Sequence, residues 1–504
     1  MAKFYITTAI DYSNGDPHLG HALEKVGADC IARYRRLRGD RVTFLMGMDE
    51  HGQKVAQTAE AAGQDPQAWV DRISRRFEDT WRTLLCSHDD WIRTTEQRHI
   101  DAVTHLFSEI MRRSPDDIYL GDYEGLYCVG CEEFKQPNQI VDGHCTEHPQ
   151  RELVPTKERN HFFRLSNYGD TILALIQSGE LIVEPAIRRN EIVRLLEDGL
   201  QDISISRARF PWGIPFPGAT DYTIYVWFDA VINYLSATGY PAAGYRDLWP
   251  ADLHVIGKGI TRFHCVLWPA MLLSAGLTLP REIWAHGYVQ WDGAKVSKSA
   301  PTAVSLDDAI GRYGPDALRY FLVREVGFEN DGNFSWDRFD QRYAADLADG
   351  LGNLASRVLA MLAKYRAGRV PDADTVTALD ETGAAAVREY GRVMDRLELR
   401  GGAETVWSLV AAGNQYVARS APWALAKAGD DAQLDIVLAS LGRCLYRLAV
   451  MISPFMPGKA EALWQTLGRD GSAAGTDWND LLQAPIGGAD TEKGAALFPK
   501  ENKG

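Results

Sequence analysis

The sequence predicts an α/β protein: a parallel sheet interrupted by an inserted module and followed by an all-α domain. Three observations predict it. Residues 4–10 are rich in β-branched and aromatic side chains, Asn14-Gly15-Asp16-Pro17 is turn chemistry, and the apolar positions Leu19, Leu23, Val26, Cys30, Tyr34 and Leu37 then step by three and four along one helical face. The order strand, loop, helix repeats after residues 41–46, which argues for parallel strands with ligands at their carboxyl ends. From about Gly350 to about Leu467 the chain changes to long amphipathic stretches rich in Ala and Leu.

The elements follow in order. The first strand, turn and helix place His18-Leu19-Gly20-His21 at a helix start, where free N–H groups and the positive dipole end favour an anion. Two imidazoles three residues apart lie on the same face there, and Gly20 lets a flat ring approach the backbone. Taken alone, the same pattern is also that of two surface caps. The second strand ends in Gly47-Met48-Asp49-Glu50-His51-Gly52, which puts Asp49 at a carboxyl end. Near Ser114-Pro115 the pattern breaks and a turn-rich insertion begins. The α/β pattern is expected to resume with residues 222–227 and 253–258, the latter ending in Gly257-Lys258-Gly259. Beyond residue 289, Lys295-Val296-Ser297-Lys298-Ser299 sits in a glycine-hinged polar loop, a pattern that solvated loops share. The expected parts are therefore residues 1–115 and 224–290 as two halves of one Rossmann-like domain, 116–223 as the insertion, 291–349 as the lysine-loop region, and 350–504 as the helical domain with a charged tail.

Within the insertion, Cys128-Val129-Gly130-Cys131 and Cys145-Thr146-Glu147-His148 form C-x-x-C and C-x-x-H pairs with thirteen residues between them. Two tight pairs on short knuckle turns match the tetrahedral needs of one Zn²⁺, with no open position for chemistry. His144 competes as a ligand, but Cys145 with His148 keeps the two-residue spacing. The expectation is a structural zinc held by Cys128, Cys131, Cys145 and His148.

Composition bounds the rest. The chain has 504 residues, 45% apolar and 24% charged, which is a globular composition long enough for about three domains. Its start leads straight into a strand pattern, and the longest apolar run, 266–279, is broken by Pro269 and Ser274, so neither a signal peptide nor a membrane span is expected. Cys30, Cys86, Cys265 and Cys444 are isolated, which fits a reducing cytoplasm. A net charge of −14 excludes binding of nucleic acid by the surface as a whole and leaves local basic faces, such as residues 33–38.

The order H-x-G-H, split sheet, zinc knuckle, K-x-S-K-S and helical domain resembles the class I aminoacyl-tRNA synthetases. Gly47-Met48-Asp49-Glu50-His51-Gly52, Trp227-Phe228-Asp229-Ala230, Arg262-Phe263-His264, Trp268-Pro269-Ala270-Met271 and Ala421-Pro422-Trp423 bring it close to the methionyl-tRNA synthetase family over nearly the whole chain. The resemblance implies ATP-dependent activation of methionine, with ATP carried by Mg²⁺, and transfer to methionine tRNA. It implies that His18, His21, Lys295 and Lys298 act on the phosphates, with Gly20 and Gly257 completing the ATP site. It implies a methionine pocket of Ile10, Tyr12, Asp49, Trp227, Ala230, Val231, Tyr234, Phe263, His264 and Trp268, with Arg207 near the reacting carboxylate. Asn353, Arg357 and Trp423 match positions that read the CAU anticodon, and the lysine-loop region would meet the acceptor stem.

Two departures stand out. Gly259 replaces an aspartate that is usual in the family, and Val296 replaces the commoner methionine. The insertion is too short for the large editing domain of isoleucyl, valyl and leucyl relatives. A cysteinyl enzyme would draw its zinc ligands from across the active site. A synthetase-derived RNA-binding protein without activation is the rival of another class; Gly259 favours it, and the intact His18, His21, Lys295 and Lys298 oppose it. No appended dimerisation module follows the helical domain, so a monomer is expected.

Overall fold

The computed structural model describes residues 2–130, 133–135, 140–146, 148–208, 210–291, 294–295 and 304–500, the side chains of 123, 133–134, 148–149, 151 and 294–295 excepted. β1 (Lys3–Thr8) leads to the helix α1 (Leu19–Leu37), then to β2 (Arg41–Asp49), α2 (Gln53–Ala61) and β3 (Asp90–Arg93). β4 (Ile182–Glu184), the short helix α3 (Val226–Ala230), β5 (Leu253–Gly257) and β6 (Glu282–His286) complete this part. The strands lie in the order β3-β2-β1-β5-β6-β4 with every pairing parallel, and Asp11–Tyr12 pairs with the end of β2 to make seven. Ile6, Phe44, Leu45, Val255 and Ile256 are fully buried, as parallel strands covered on both faces require. The strand order turns over between β1 and β5, and there the carboxyl ends open a crevice.

The insertion is an antiparallel module built on a long hairpin, Ile118–Cys128 against Val154–Phe163. It is anchored to the sheet, because β4 comes from it and pairs with β6 at the edge. One expectation is corrected here. Residues 222–227 do not rejoin the parallel sheet: Tyr222–Ile224 pairs antiparallel with Ser206–Ala208, and Val226–Ala230 is helical. The intervening chain turns back at Gly218, φ 79°, so Tyr222 meets its own upstream neighbour, Phe216, and β5 takes the place beside β1.

Past residue 304 the chain is mainly helical, with α4 (Pro315–Phe321), α5 (Asn353–Arg366), α6 (Ala378–Met394), α7 (Leu399–Ser420), α8 (Pro422–Ala428) and α9 (Asp431–Ile452). Ser420, which carries a capping hydroxyl, is the last residue of α7. The cap is Ala421, in the left-handed region at φ 38°, which reverses the chain between two helices within one residue. No helix among the described residues is long and apolar enough to cross a membrane.

α1 departs from the single apolar stripe. It is buried on nearly every side, Glu24, Lys25 and Asp29 included, because the sheet covers one face and the helical domain the other. Asp29 is the joint. Its Oδ2 accepts from Arg319 Nη2 on α4 at 2.6 Å and from Arg33 Nε at 2.7 Å, and Oδ1 accepts from the Ser87 amide and hydroxyl at 2.6 Å each. The fully buried Arg319 also donates to the carbonyls of Phe455 (3.0 Å), Leu84 (3.0 Å) and Pro454 (2.8 Å). Burial pushes the Asp29 carboxyl up, but Arg319 and Arg33 outweigh it and hold it at about 2.

Removing one member of such a pair strands the other charge in the interior, a loss of about 3–5 kcal/mol. Arg319→Ala is therefore expected to lower the free energy of unfolding by that margin, read from the shift of the urea midpoint multiplied by m against wild type under the same conditions.

Candidate active site

The H-x-G-H turn lies at the crevice, at the start of α1. His18 is the N-cap: its Nδ1 accepts from the amides of Gly20 (3.1 Å) and His21 (3.4 Å), while His21 Nδ1 accepts from the His18 amide at 3.3 Å. This is a capping box in which both side chains are imidazoles. The rings stack with centroids 3.7 Å apart at 17°. Because Nδ1 accepts in both, each neutral ring carries its proton on Nε2, so the pair holds two N–H donors on its far edge. A Cβ on Gly20 would lie 2.9 Å from His18 Cε1, so the glycine is first required by the neighbouring ring.

Beneath this turn lies a charge network that sequence reasoning missed. Lys25, fully buried, donates to the Ala9 carbonyl at the end of β1 (2.6 Å), to Glu24 Oε1 (2.7 Å), and pairs with Asp11 Oδ1 (3.0 Å). Glu24 Oε2 meets His286 Nε2 at 3.0 Å across the strand order reversal, with Gly257 directly above. Burial pushes Glu24 up, but Lys25 and then His286 outweigh it and hold it below the usual range, whereas burial leaves Asp11 raised to about 6. The signal was present: two adjacent charges, Glu24-Lys25, interrupt the helix between apolar Leu23 and Val26.

The residues expected at the methionine pocket gather in two groups. Trp227 stacks on Phe263 at 5.0 Å and 16°, with Tyr12 at 6.1 Å from Trp227. Asp49, 1% exposed, ends β2 opposite Tyr12. Behind them, Tyr234, His264 and Trp268 are buried together. His264 Nδ1 faces the Ile260 carbonyl at 3.0 Å and therefore carries the proton, so its Nε2 accepts from the Tyr234 hydroxyl at 2.7 Å. Burial lowers the His264 imidazole to about 4, so it stays neutral at pH 7. Ile10 reaches over Gly47, where a Cβ would lie 3.0 Å from its Cγ2 and 2.1 Å from the Ile92 carbonyl oxygen. Ala230 closes α3 and Val231 caps it, both buried.

A second buried chain went unnoticed in the sequence. Asp229, between these pocket residues, receives His51 Nδ1 on one oxygen and His99 Nε2 on the other, each at 2.6 Å, and His99 Nδ1 meets Ser236 Oγ at 2.9 Å. Burial pushes Asp229 up, but the two imidazoles outweigh it and hold it at about 2. The contact joins the two halves of the split domain. Arg207 lies across the faces of Tyr225 (4.5 Å) and Tyr127 (5.2 Å) and donates to Ser204 Oγ (3.1 Å) and the Ser206 carbonyl (2.9 Å).

The remaining candidates are placed in part. Ala294–Lys295 pairs antiparallel with Val289–Trp291, while Lys298 lies outside the described residues. Gly259 faces Tyr288, whose hydroxyl would lie 2.1 Å from a Cβ there. Cys128 and Cys145 are fully buried thiols, and Cys145 pairs across two short strands with His148; Cys131 lies outside the described residues. Asn353 opens α5 and donates to Asn414 on α7 at 3.4 Å, Arg357 follows one turn on, and Trp423 on α8 is 48% exposed.

Comparison with known proteins meets this geometry. The family model for class I tRNA synthetases (M) matches residues 4–152 and 136–359, and that for the anticodon binding domain of methionyl tRNA ligase matches 367–503. The methionine–tRNA ligase of Streptomyces coelicolor is 40% identical over 99% of this chain and 96% of its own, and that of Brucella melitensis 41% identical over 99% and 98%. The solved Mycobacterium tuberculosis methionyl-tRNA synthetase in complex with methionyl-adenylate superposes with a TM-score of 0.93 at 38% identity, covering 99% of this chain and 100% of that one. The chain belongs to the methionyl family of the class I tRNA synthetases.

Proposed function

We propose that the crevice between β1 and β5 activates L-methionine with ATP, giving methionyl-adenylate and pyrophosphate, and that the chain then transfers methionine to the 3′ end of methionine tRNA. The observation that carries this reading is the imidazole capping box at the strand order reversal, in a chain alignable over 99% of its length with methionine–tRNA ligases. The methionine carboxylate is already a nucleophile. It attacks the α-phosphorus, the new C–O–P link forms, and pyrophosphate departs with the electrons of the broken P–O bond. No general base is needed, so catalysis is positioning and stabilisation of phosphoryl charge.

His18 and His21 donate from Nε2–H to phosphate oxygens, and their Nδ1 atoms, engaged by the backbone, keep those donors turned outward. Lys295 and Lys298 neutralise the departing pyrophosphate, and Mg²⁺ bound to ATP shares that charge. Gly257 and Gly20 leave room for the nucleotide. Asp49 takes the α-ammonium, and Tyr12, Trp227 and Phe263 enclose the thioether with polarizable faces. Neutral His264 accepts the hydrogen bond of the Tyr234 hydroxyl, so that oxygen has only its lone pairs left to offer. Ile10, Ala230, Val231 and Trp268 shape the pocket, and Arg207 sits beside the reacting carboxylate. In the second step a terminal ribose hydroxyl oxygen bonds to the methionyl carbonyl carbon. The carbonyl-to-phosphate C–O bond breaks, AMP leaves with that electron pair, and the hydroxyl proton passes to the departing phosphate.

Cys128, Cys131, Cys145 and His148 would hold one Zn²⁺, and the chemistry of the donor set fits. Two completely buried thiols, one at the end of the long strand Ile118–Cys128 and one on the short strand His144–Cys145, suit a closed thiolate site, and the ion would fold the module rather than react. In the helical domain, Trp423 supplies a face for an unpaired anticodon base, and Asn353 and Arg357 supply edge contacts.

Three outcomes test the reading. Lys295→Ala is expected to cut methionine-dependent ATP–pyrophosphate exchange by about 10²–10³-fold while methionine still binds by calorimetry; full exchange would refute its role. Trp423→Ala should raise the KM for methionine tRNA in aminoacylation by about 10-fold or more, the scale of one lost base stack, and leave exchange unchanged. Metal analysis of the purified chain should find one zinc per chain, and Cys145→Ser should lose it.

A further inference from the structure

His286 has no role in the chemistry above, yet it closes β6 in the interior, only 4% exposed. Both of its ring nitrogens face atoms that can only accept. Nδ1 lies 2.7 Å from the Gly287 carbonyl oxygen, and Nε2 lies 3.0 Å from Glu24 Oε2. A neutral imidazole has one N–H and one bare nitrogen, so it satisfies one of these contacts and sets a lone pair against an oxygen in the other. A proton on Glu24 would also resolve the conflict, but Glu24 Oε1 already accepts from Lys25 at 2.7 Å. Burial pushes this carboxyl up, and Lys25 and then His286 outweigh it and hold it below the usual range. Glu24 is therefore the anion, and the ring must supply both protons.

We infer that His286 is an imidazolium, and that its second proton keeps a buried cluster of Lys25, His286, Glu24 and Asp11 electrically neutral beside the phosphates of ATP. The inference rests on the functional reading above. Lys25 pairs with Asp11 at 3.0 Å and with Glu24 at 2.7 Å. Burial lowers the Lys25 ammonium, but Asp11 and Glu24 outweigh it and raise it, while Asp11, pushed up by burial to about 6, is still ionised at neutral pH. Two cations thus answer two carboxylates, and a His286 with one proton fewer leaves one negative charge over. On α1, Glu24 and Lys25 follow His21 by three and four residues, so the cluster lies one helical turn from the H-x-G-H donors. A net negative charge buried there is poorly screened and repels a polyphosphate. The neighbouring groups do not change this sum. Lys258 and Asp331, beyond the ends of β5 and β6, pair with each other at 2.7 Å, and burial keeps Tyr234 and His264 uncharged. The ring itself stacks on Phe328 at 5.6 Å and 18°, and Gly257 lies over Nε2, where a Cβ would be 3.6 Å away. His286 touches no reacting atom; it is a positioning residue that sets the charge of the site.

The test reads the charge and the protons separately. His286→Gln keeps a donor for Glu24 but removes the positive charge. It is expected to raise the KM for ATP in methionine-dependent ATP–pyrophosphate exchange by about 10-fold, the scale of one unit charge acting through the interior over about 10 Å, and to leave the KM for methionine unchanged. Adding Glu24→Gln removes the matching anion, so the double variant is expected to recover the wild-type KM for ATP, which a mere packing role would not allow. An unchanged KM for ATP in His286→Gln, or no recovery in the double variant, overturns the charge balance. An arm independent of any variant's folding is a neutron crystal structure of the deuterated wild-type chain at neutral pH. Deuterium is expected on both Nδ1 and Nε2 of His286, and deuterium on one nitrogen alone overturns the inference. A wild-type chain without methionine-dependent exchange overturns instead the functional reading on which it rests.

Discussion

A helix enclosed on nearly every side must pair each charge it buries, and α1 is such a helix. The sheet packs on one side of it and the helical domain on the other, so Glu24, Lys25 and Asp29 all lie in the interior. Each is answered. Lys25 ties α1 to the end of β1 through the Ala9 carbonyl, Glu24 reaches His286 at the end of β6, and Asp29 receives Arg319 from the helical side. Buried pairs of this kind add little net stability against an apolar alternative, but breaking one is costly, so they fix a single arrangement of the parts. The position of the H-x-G-H turn follows from that arrangement, since its cap is the first turn of the same helix.

The crevice is assembled from chain segments that meet only in the fold. The short strand Asp11–Tyr12 and β2 bring Tyr12 and Asp49, α3 brings Trp227 and Ala230, and the segment after β5 brings Phe263, His264 and Trp268. The Asp229 carboxylate, gripped by His51 and His99, fastens the second half of the domain to the first at this point. Both ends of the proposed chemistry thus depend on imidazoles with defined tautomers. His18 and His21 accept from the backbone at Nδ1, while His264 donates at Nδ1 and accepts at Nε2. The difference comes from the partner that each Nδ1 meets, an amide in the first case and a carbonyl in the second.

Much of the architecture was legible in the sequence because local rules govern it. The strand, turn and helix at the start, the parallel class of the sheet and the helical character of the later chain follow from periodicity and turn residues. The signature segments carry the family, which the full-length similarity to methionine–tRNA ligases bears out. What escaped local reading were features set by distant partners. Residues 222–224 have strand composition, yet they pair with Ser206–Ala208 rather than with the parallel sheet, since β5 occupies the place beside β1. The apolar stripe of α1 is real, but the helix has two packing faces, and nothing in a 3.6-residue period reports the second. Ser420 has cap chemistry, yet α7 runs through it and a left-handed Ala421 makes the turn.

The sequence by itself determined the class of the fold, the order of its parts and the chemical kinds of residue at each expected site. These depend on residue type and short spacing, which the chain carries in one dimension. Only the tertiary structure decided which nitrogen of each histidine bears its proton, which carboxylate pairs Lys25 most closely, and that Arg319 answers Asp29 from 290 positions away. Those choices belong to the geometry of buried polar groups, where every donor must find an acceptor among residues that the sequence keeps far apart.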